Sequence, residues 1–96
     1  MGVDTETIHT SAGGDFTIKL ESNPTTGYKW IPNYDDSSLK LISDEFVSET
    51  KLMGSGGIQR LSFRALKPGA TEIEVVQKRP WEKKPLRSRK FTVSID

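Results

Sequence analysis

Phe16-Thr17-Ile18-Lys19-Leu20-Glu21-Ser22-Asn23-Pro24-Thr25-Thr26-Gly27-Tyr28-Lys29-Trp30-Ile31-Pro32 is a stretch that alternates, breaks and resumes. Phe16, Ile18 and Leu20 recur at period two, the signature of a half-buried strand. Tyr28, Trp30 and Pro32 take up the same period after the break, and Pro32 is expected to end that strand. The break itself is unusual. Pro24 fixes its own φ and pushes Asn23 toward an extended conformation, while Gly27 supplies a positive φ where the chain rejoins the next strand. Thr25 and Thr26 between them are β-branched and stiff. Two residues of the Asn-Gly type would suffice merely to turn the chain. This longer loop, braced at both ends, is suited to presenting a shape.

Outward from this stretch the same reading repeats. Thr5–Thr10 is a short polar-ended strand, and 11–15 is a turn by composition. After Pro32, residues 33–38 read as a polar connection. Residues 39–51 hold Leu39, Leu41, Phe46 and Val47 in a weaker pattern, interrupted near Ser43-Asp44. Leu52–Gly57 (Leu-Met-Gly-Ser-Gly-Gly) is unsuited to a strand interior. Leu61, Phe63 and Ala65 mark a strand closed by Lys67-Pro68-Gly69-Ala70. Thr71–Lys78 is another, with Ile73, Val75 and Gln77 on one face. Pro80 and Pro85 exclude the following segment from a central ladder. Phe91, Val93 and Ile95 close the chain on one face of a last strand.

No stretch combines helical periodicity with caps. About seven strands at close spacing imply an all-β, immunoglobulin-like antiparallel β-sandwich occupying residues 1–96 as a single domain, with a small barrel as the alternative. The Cys–Trp–Cys pin of antibody domains is absent, and Trp30 is a candidate for the same central space. If successive strands run alternately up and down, the connections Asn23–Gly27, Leu52–Gly57 and Arg79–Pro85 share one end. The ordinary polar turns share the other. The three unusual loops therefore form a candidate binding edge on a fixed scaffold.

Composition narrows the chemistry. The chain has 96 residues, no cysteine and one histidine. It therefore has no disulfide, thiolate nucleophile or Cys-based metal site, and His9 alone makes no metal cluster. No apolar run approaches a membrane span and no signal-peptide core is present, which leaves localisation undecided. Net charge is +1, but residues 78–90 carry seven basic side chains against Glu82. Thr25 or Thr26 as a nucleophile would need a base and an orienting group. The three loops contain no histidine, and Glu82 is their one carboxylate. Asp35-Asp36 and Asp44-Glu45 read as solvated turn charge. Gly54-Ser55-Gly56-Gly57 lacks the Gly-Lys-Ser/Thr ending and following helix of a phosphate loop. Trp81, stiffened by Pro80, is either an interface anchor or a lid folded back on the core. Catalysis, cofactors and metals are not indicated, and a partner surface is.

The three loops together resemble the chagasin-like inhibitors of papain-type cysteine proteases. That family carries an Asn-Pro-Thr-Thr-Gly-aromatic loop, a Gly-x-Gly-Gly loop and an Arg-Pro-Trp loop in this order on an immunoglobulin-like fold. Here they stand as Asn23–Tyr28, Gly54–Gly57 and Arg79–Trp81. The resemblance implies a reversible, tight-binding, non-covalent, competitive inhibitor, and nothing in the sequence requires more than a monomer. Asn23, Pro24, Thr25, Thr26 and Gly27 would enter the protease cleft at its catalytic pair. Leu52, Met53, Gly54, Gly56 and Gly57 would lie along the non-primed side, and Arg79, Pro80 and Trp81 would grip the primed side. A different class, an adhesion or nucleic-acid-binding module using the basic 78–90 segment, is the alternative. The inhibitor reading expects neither nucleic acid nor membrane as partner.

Overall fold

The computed structural model describes residues 5–23, 27–48 and 56–96. These residues form seven strands and no helix: β1 (Thr5–Thr10), β2 (Asp15–Ser22), β3 (Lys29–Tyr34), β4 (Leu39–Ser48), β5 (Gly57–Ala65), β6 (Gly69–Lys78) and β7 (Arg87–Ile95). They divide into a four-stranded sheet in the order β1-β7-β6-β3 and a three-stranded sheet in the order β2-β5-β4. The fold is the expected immunoglobulin-like sandwich rather than a closed barrel. All pairings are antiparallel except β1 with β7, which is parallel.

Period-two alternation explains the core. Ile18 and Leu20 of β2, Leu61, Phe63 and Ala65 of β5, Ile73 and Val75 of β6, and Phe91, Val93 and Ile95 of β7 are buried between the sheets. Their sequence neighbours stand outside, as the pleat requires. Trp30 is 2% exposed and fills the inter-sheet space. Its indole Nε1–H donates to the carbonyl of Glu21 at 2.8 Å, so it ties β3 to β2 across the two sheets. Phe63 is stacked by Phe16 (5.6 Å between ring centroids) and met edge-on by Tyr34 (5.1 Å).

Four strands differ in extent from the sequence expectation. β3 does not stop at Pro32 but runs to Tyr34, whose ring joins the core rather than a polar connection. β3 is an edge strand, and the backbone N–H and C=O of Trp30 point away from β6, toward Gln59. Pro32, two residues on, places its nitrogen on that same free edge, where no ladder bond is lost. β4 is continuous through Ser43-Asp44, with a register shift between Leu41 and Ser43. Leu39 and Leu41 pair with the inward residues Ala65 and Phe63, but beyond the shift Asp44 and Phe46 pair with Leu61 and Gln59. One extra residue at Ile42 switches the inward parity from odd to even. Gly69 and Ala70, read as turn, open β6, and Gly57 opens β5 between Ser22 and Ser48.

Gln59 supplies a cross-sheet link. Its Oε1 accepts the Trp30 N–H at 3.0 Å, and its Nε2 donates to the Trp30 carbonyl at 2.9 Å and to Asp44 Oδ1 at 3.0 Å. The amide thus bonds the free edge of β3 as another strand's backbone would. Gln59→Leu keeps the volume but strands the Trp30 N–H and C=O without partners at a buried site, a loss of about 3 kcal/mol. For a domain of this size Tm should fall by roughly 12–24 °C in a thermal melt. A fall of under about 4 °C would exclude the link as a major stabiliser.

Candidate functional site

The parallel β1–β7 pair and the antiparallel pairs within each sheet fit strict up-and-down alternation of the seven strands. The strand ends that carry the loops after β2, β4 and β6 therefore share one end, and the described residues of these loops lie against one another. Gly27 of the first loop has φ +84°. That left-handed conformation favours glycine over any residue with a Cβ. A Cβ on Gly27 would stand 3.6 Å from both the Arg79 side chain and the Trp81 ring of the third loop. A Cβ on Gly56 would meet the Ser22 carbonyl at 3.1 Å, so the second loop returns against the root of the first.

The third loop is built by a turn. The Glu82 N–H donates to the Arg79 carbonyl at 3.1 Å, which puts Pro80 and Trp81 at the two central positions. Proline is pre-set for the first of these. The loop base is closed by the Leu86 N–H donating to the Gln77 carbonyl at 2.6 Å. Trp81 is not a lid on the core: it is 73% exposed. The Arg79 guanidinium lies 4.5 Å over the Tyr28 ring and 5.9 Å from the Trp81 ring, a cation between two aromatic faces from two loops. Glu82 approaches Arg79 at 4.0 Å. Arg79 therefore orients Trp81 and couples the third loop to the end of the first.

Of the residues expected at the site, Asn23, Gly27, Gly56, Gly57, Arg79, Pro80 and Trp81 are brought to this one end. Gly57 is buried at the start of β5, beneath the surface rather than on it. Pro24, Thr25, Thr26, Leu52, Met53 and Gly54 lie outside the described residues. The sequence reading missed a cleft of about 360 Å³ beside the loops, lined among others by Gly27, Tyr28, Phe46 and Pro80. It also missed the role of Asp44, which stands in a strand rather than a turn: it accepts from Gln59 and pairs with Lys29 at 3.5 Å. Neither was signalled locally, because both depend on the parity switch in β4. Among the described residues, no group of three or more His, Cys, Asp or Glu side chains is placed to hold a metal ion.

The sequence pattern of a family described as chagasin family peptidase inhibitor I42 matches residues 9–95. The chain belongs to the chagasin family. It is 35% identical to amoebiasin-2 of Entamoeba histolytica over 97 aligned residues, covering 96% of this chain and 79% of that protein. It is 30% identical to chagasin of Trypanosoma cruzi, covering 93% and 86% of the two chains. Among solved structures, the cysteine protease inhibitor EhICP2 from Entamoeba histolytica superposes with a TM-score of 0.82 at 34% identity, over 98% of this chain and 93% of that one. Membership of an inhibitor family makes the chain a peptidase inhibitor and not an enzyme.

Proposed function

We propose that this cysteine-protease inhibitor acts reversibly, competitively and without a covalent bond, by seating the three-loop end of the sandwich in a papain-like cleft. The single observation that carries the reading is Trp81. A large apolar ring is held in solvent by a proline turn and a cation–aromatic stack, immediately beside Gly27 of the first loop. Holding such a ring exposed has no use for folding, and preorganising it lowers the ordering cost of binding.

In this reading Asn23–Gly27 is the central wedge, with Thr25 and Thr26 nearest the protease's catalytic Cys–His pair. Leu52 and Met53 reach hydrophobic subsites on the non-primed side, and Gly54 and Gly56 allow close backbone approach. Arg79, Pro80 and Trp81 grip the primed side. Because the sequence has no cysteine, the protease thiolate finds no disulfide partner in it. The wedge resists cleavage as long as it withholds a carbonyl from attack geometry. A monomer suffices, and the nucleic-acid alternative is not favoured.

The test is a titration of papain or a cathepsin with a fluorogenic substrate. Near-stoichiometric suppression is expected, with raised substrate concentration relieving it and the inhibitor intact on a gel after prolonged incubation. Full protease activity at a large molar excess of folded protein would overturn the proposal.

A further inference from the structure

We infer that the cationic end of the four-stranded sheet, beside the third loop, is a steering surface that favours proteases with an acidic rim on the side gripped by Trp81. The inference rests on the inhibitor reading above and deepens it by naming the charge of the partner. The first observation is a register. Lys29 of β3 stands directly opposite Lys78 of β6, on one face, at the pair that leads into the first and third loops. Like charges directly opposite in a sheet oppose folding. Asp44 answers Lys29 at 3.5 Å and leaves Lys78 unanswered.

The second observation is the loop itself. Lys83 and Lys84 are exposed immediately after Trp81, and the neighbouring Glu82 is directed to Arg79. Lys78, Lys83 and Lys84 form no ion pair among the described residues. Some cations on the sheets do meet carboxylates: Arg64 pairs with Asp15 at 2.8 Å, Arg89 with Glu6 at 2.8 Å, and Lys90 stands opposite Glu74. On the three-stranded sheet Lys19 stands opposite Arg60, which also faces Glu45. Lys78, Lys83 and Lys84 are thus the uncompensated cations flanking the turn that carries the ring proposed to touch the partner. Docked through Trp81, these cations come within a Debye length, about 8 Å at physiological salt, of the partner's surface. Charge so placed acts on encounter rate and partner choice more than on the lifetime of the complex.

The experiment measures association and dissociation rates for the wild type and K83E/K84E against two papain-family proteases, one acidic and one basic at the cleft rim. Salt is varied from about 20 mM to about 0.5 M. Toward the acidic enzyme at low salt, the variant should associate roughly tenfold more slowly, with dissociation changed less than about twofold. The difference should vanish at high salt and change sign with the basic enzyme. Tm should match the wild type, because both lysines are exposed. Equal association rates for variant and wild type at low salt would overturn the inference. So would a wild type whose tight, salt-sensitive binding is to an oligonucleotide and not to either protease. Inhibition retained with salt-independent rates would remove the steering inference alone, whereas a wild type that inhibits neither enzyme would remove the inhibitor reading as well.

Discussion

Trp81→Ala is expected to weaken inhibition of a papain-like protease by roughly 30- to 1,000-fold while leaving Tm within a few degrees of the wild type. The two halves of that expectation have one cause. Trp81 is 73% exposed, so the fold buries little of it and loses little without it. Its ring edge rests near Gly27 and its face is approached by Arg79 at 5.9 Å, an exposed cation–aromatic contact worth about 0.5–1 kcal/mol. Against an enzyme surface the same ring would be desolvated, and truncating such an anchor costs about 2–4 kcal/mol. At about 1.4 kcal/mol per tenfold change, this gives the stated range. The loss should appear in the dissociation rate, because an aromatic anchor acts after encounter. This distinguishes it from K83E/K84E, whose effect is on association. A variant with Ki within about threefold of the wild type would show that Trp81 is not an anchor. A variant that melts far below the wild type would show that the ring supports the fold.

The sandwich and its loop-bearing end could be read from the chain because their signals are local. Alternation in Phe16–Leu20, Leu61–Ala65, Ile73–Gln77 and Phe91–Ile95 records which face of each strand is buried. Pro80 and Gly27 mark backbone conformations that few other residues adopt as readily. The features that escaped are those in which meaning depends on a distant partner. Pro32 reads as a strand terminator unless the strand is known to be an edge. Phe46 and Asp44 fall out of phase until one extra residue at Ile42 is recognised, and a bulge leaves no residue-type signature. Gln59 carries no local signal of its role, because its partner Trp30 is 29 residues away. Trp30 and Trp81 are the same residue type beside proline- or glycine-containing loops. Their opposite fates follow from position alone: Trp30 lies on an inward-facing strand position, Trp81 at the centre of a turn.

That contrast fixes the converse experiment. Trp30→Ala should lower stability by about 3–5 kcal/mol, the usual cost of deleting a buried large aromatic side chain. Most domains have only about 5–15 kcal/mol in total, so Tm should drop by roughly 12–40 °C or the variant should fail to fold at physiological temperature. The ring is 2% exposed, and its N–H holds the Glu21 carbonyl at 2.8 Å. Glu21 and Trp30 flank the first loop, and they belong to strands of different sheets. The indole therefore clamps both roots of the proposed wedge as well as filling the core. Trp30→Phe separates these roles, since phenylalanine keeps most of the bulk and none of the hydrogen bond. It should cost about 1–2 kcal/mol of stability through the unpaired Glu21 carbonyl and the residual void. The folded Trp30→Phe protein should inhibit several-fold less tightly, with faster dissociation, because a wedge with loosened roots must be ordered again on binding. Unchanged dissociation in that variant would confine Trp30 to the core. A melting curve for Trp30→Ala within a few degrees of the wild type would contradict its place at the centre of the sandwich.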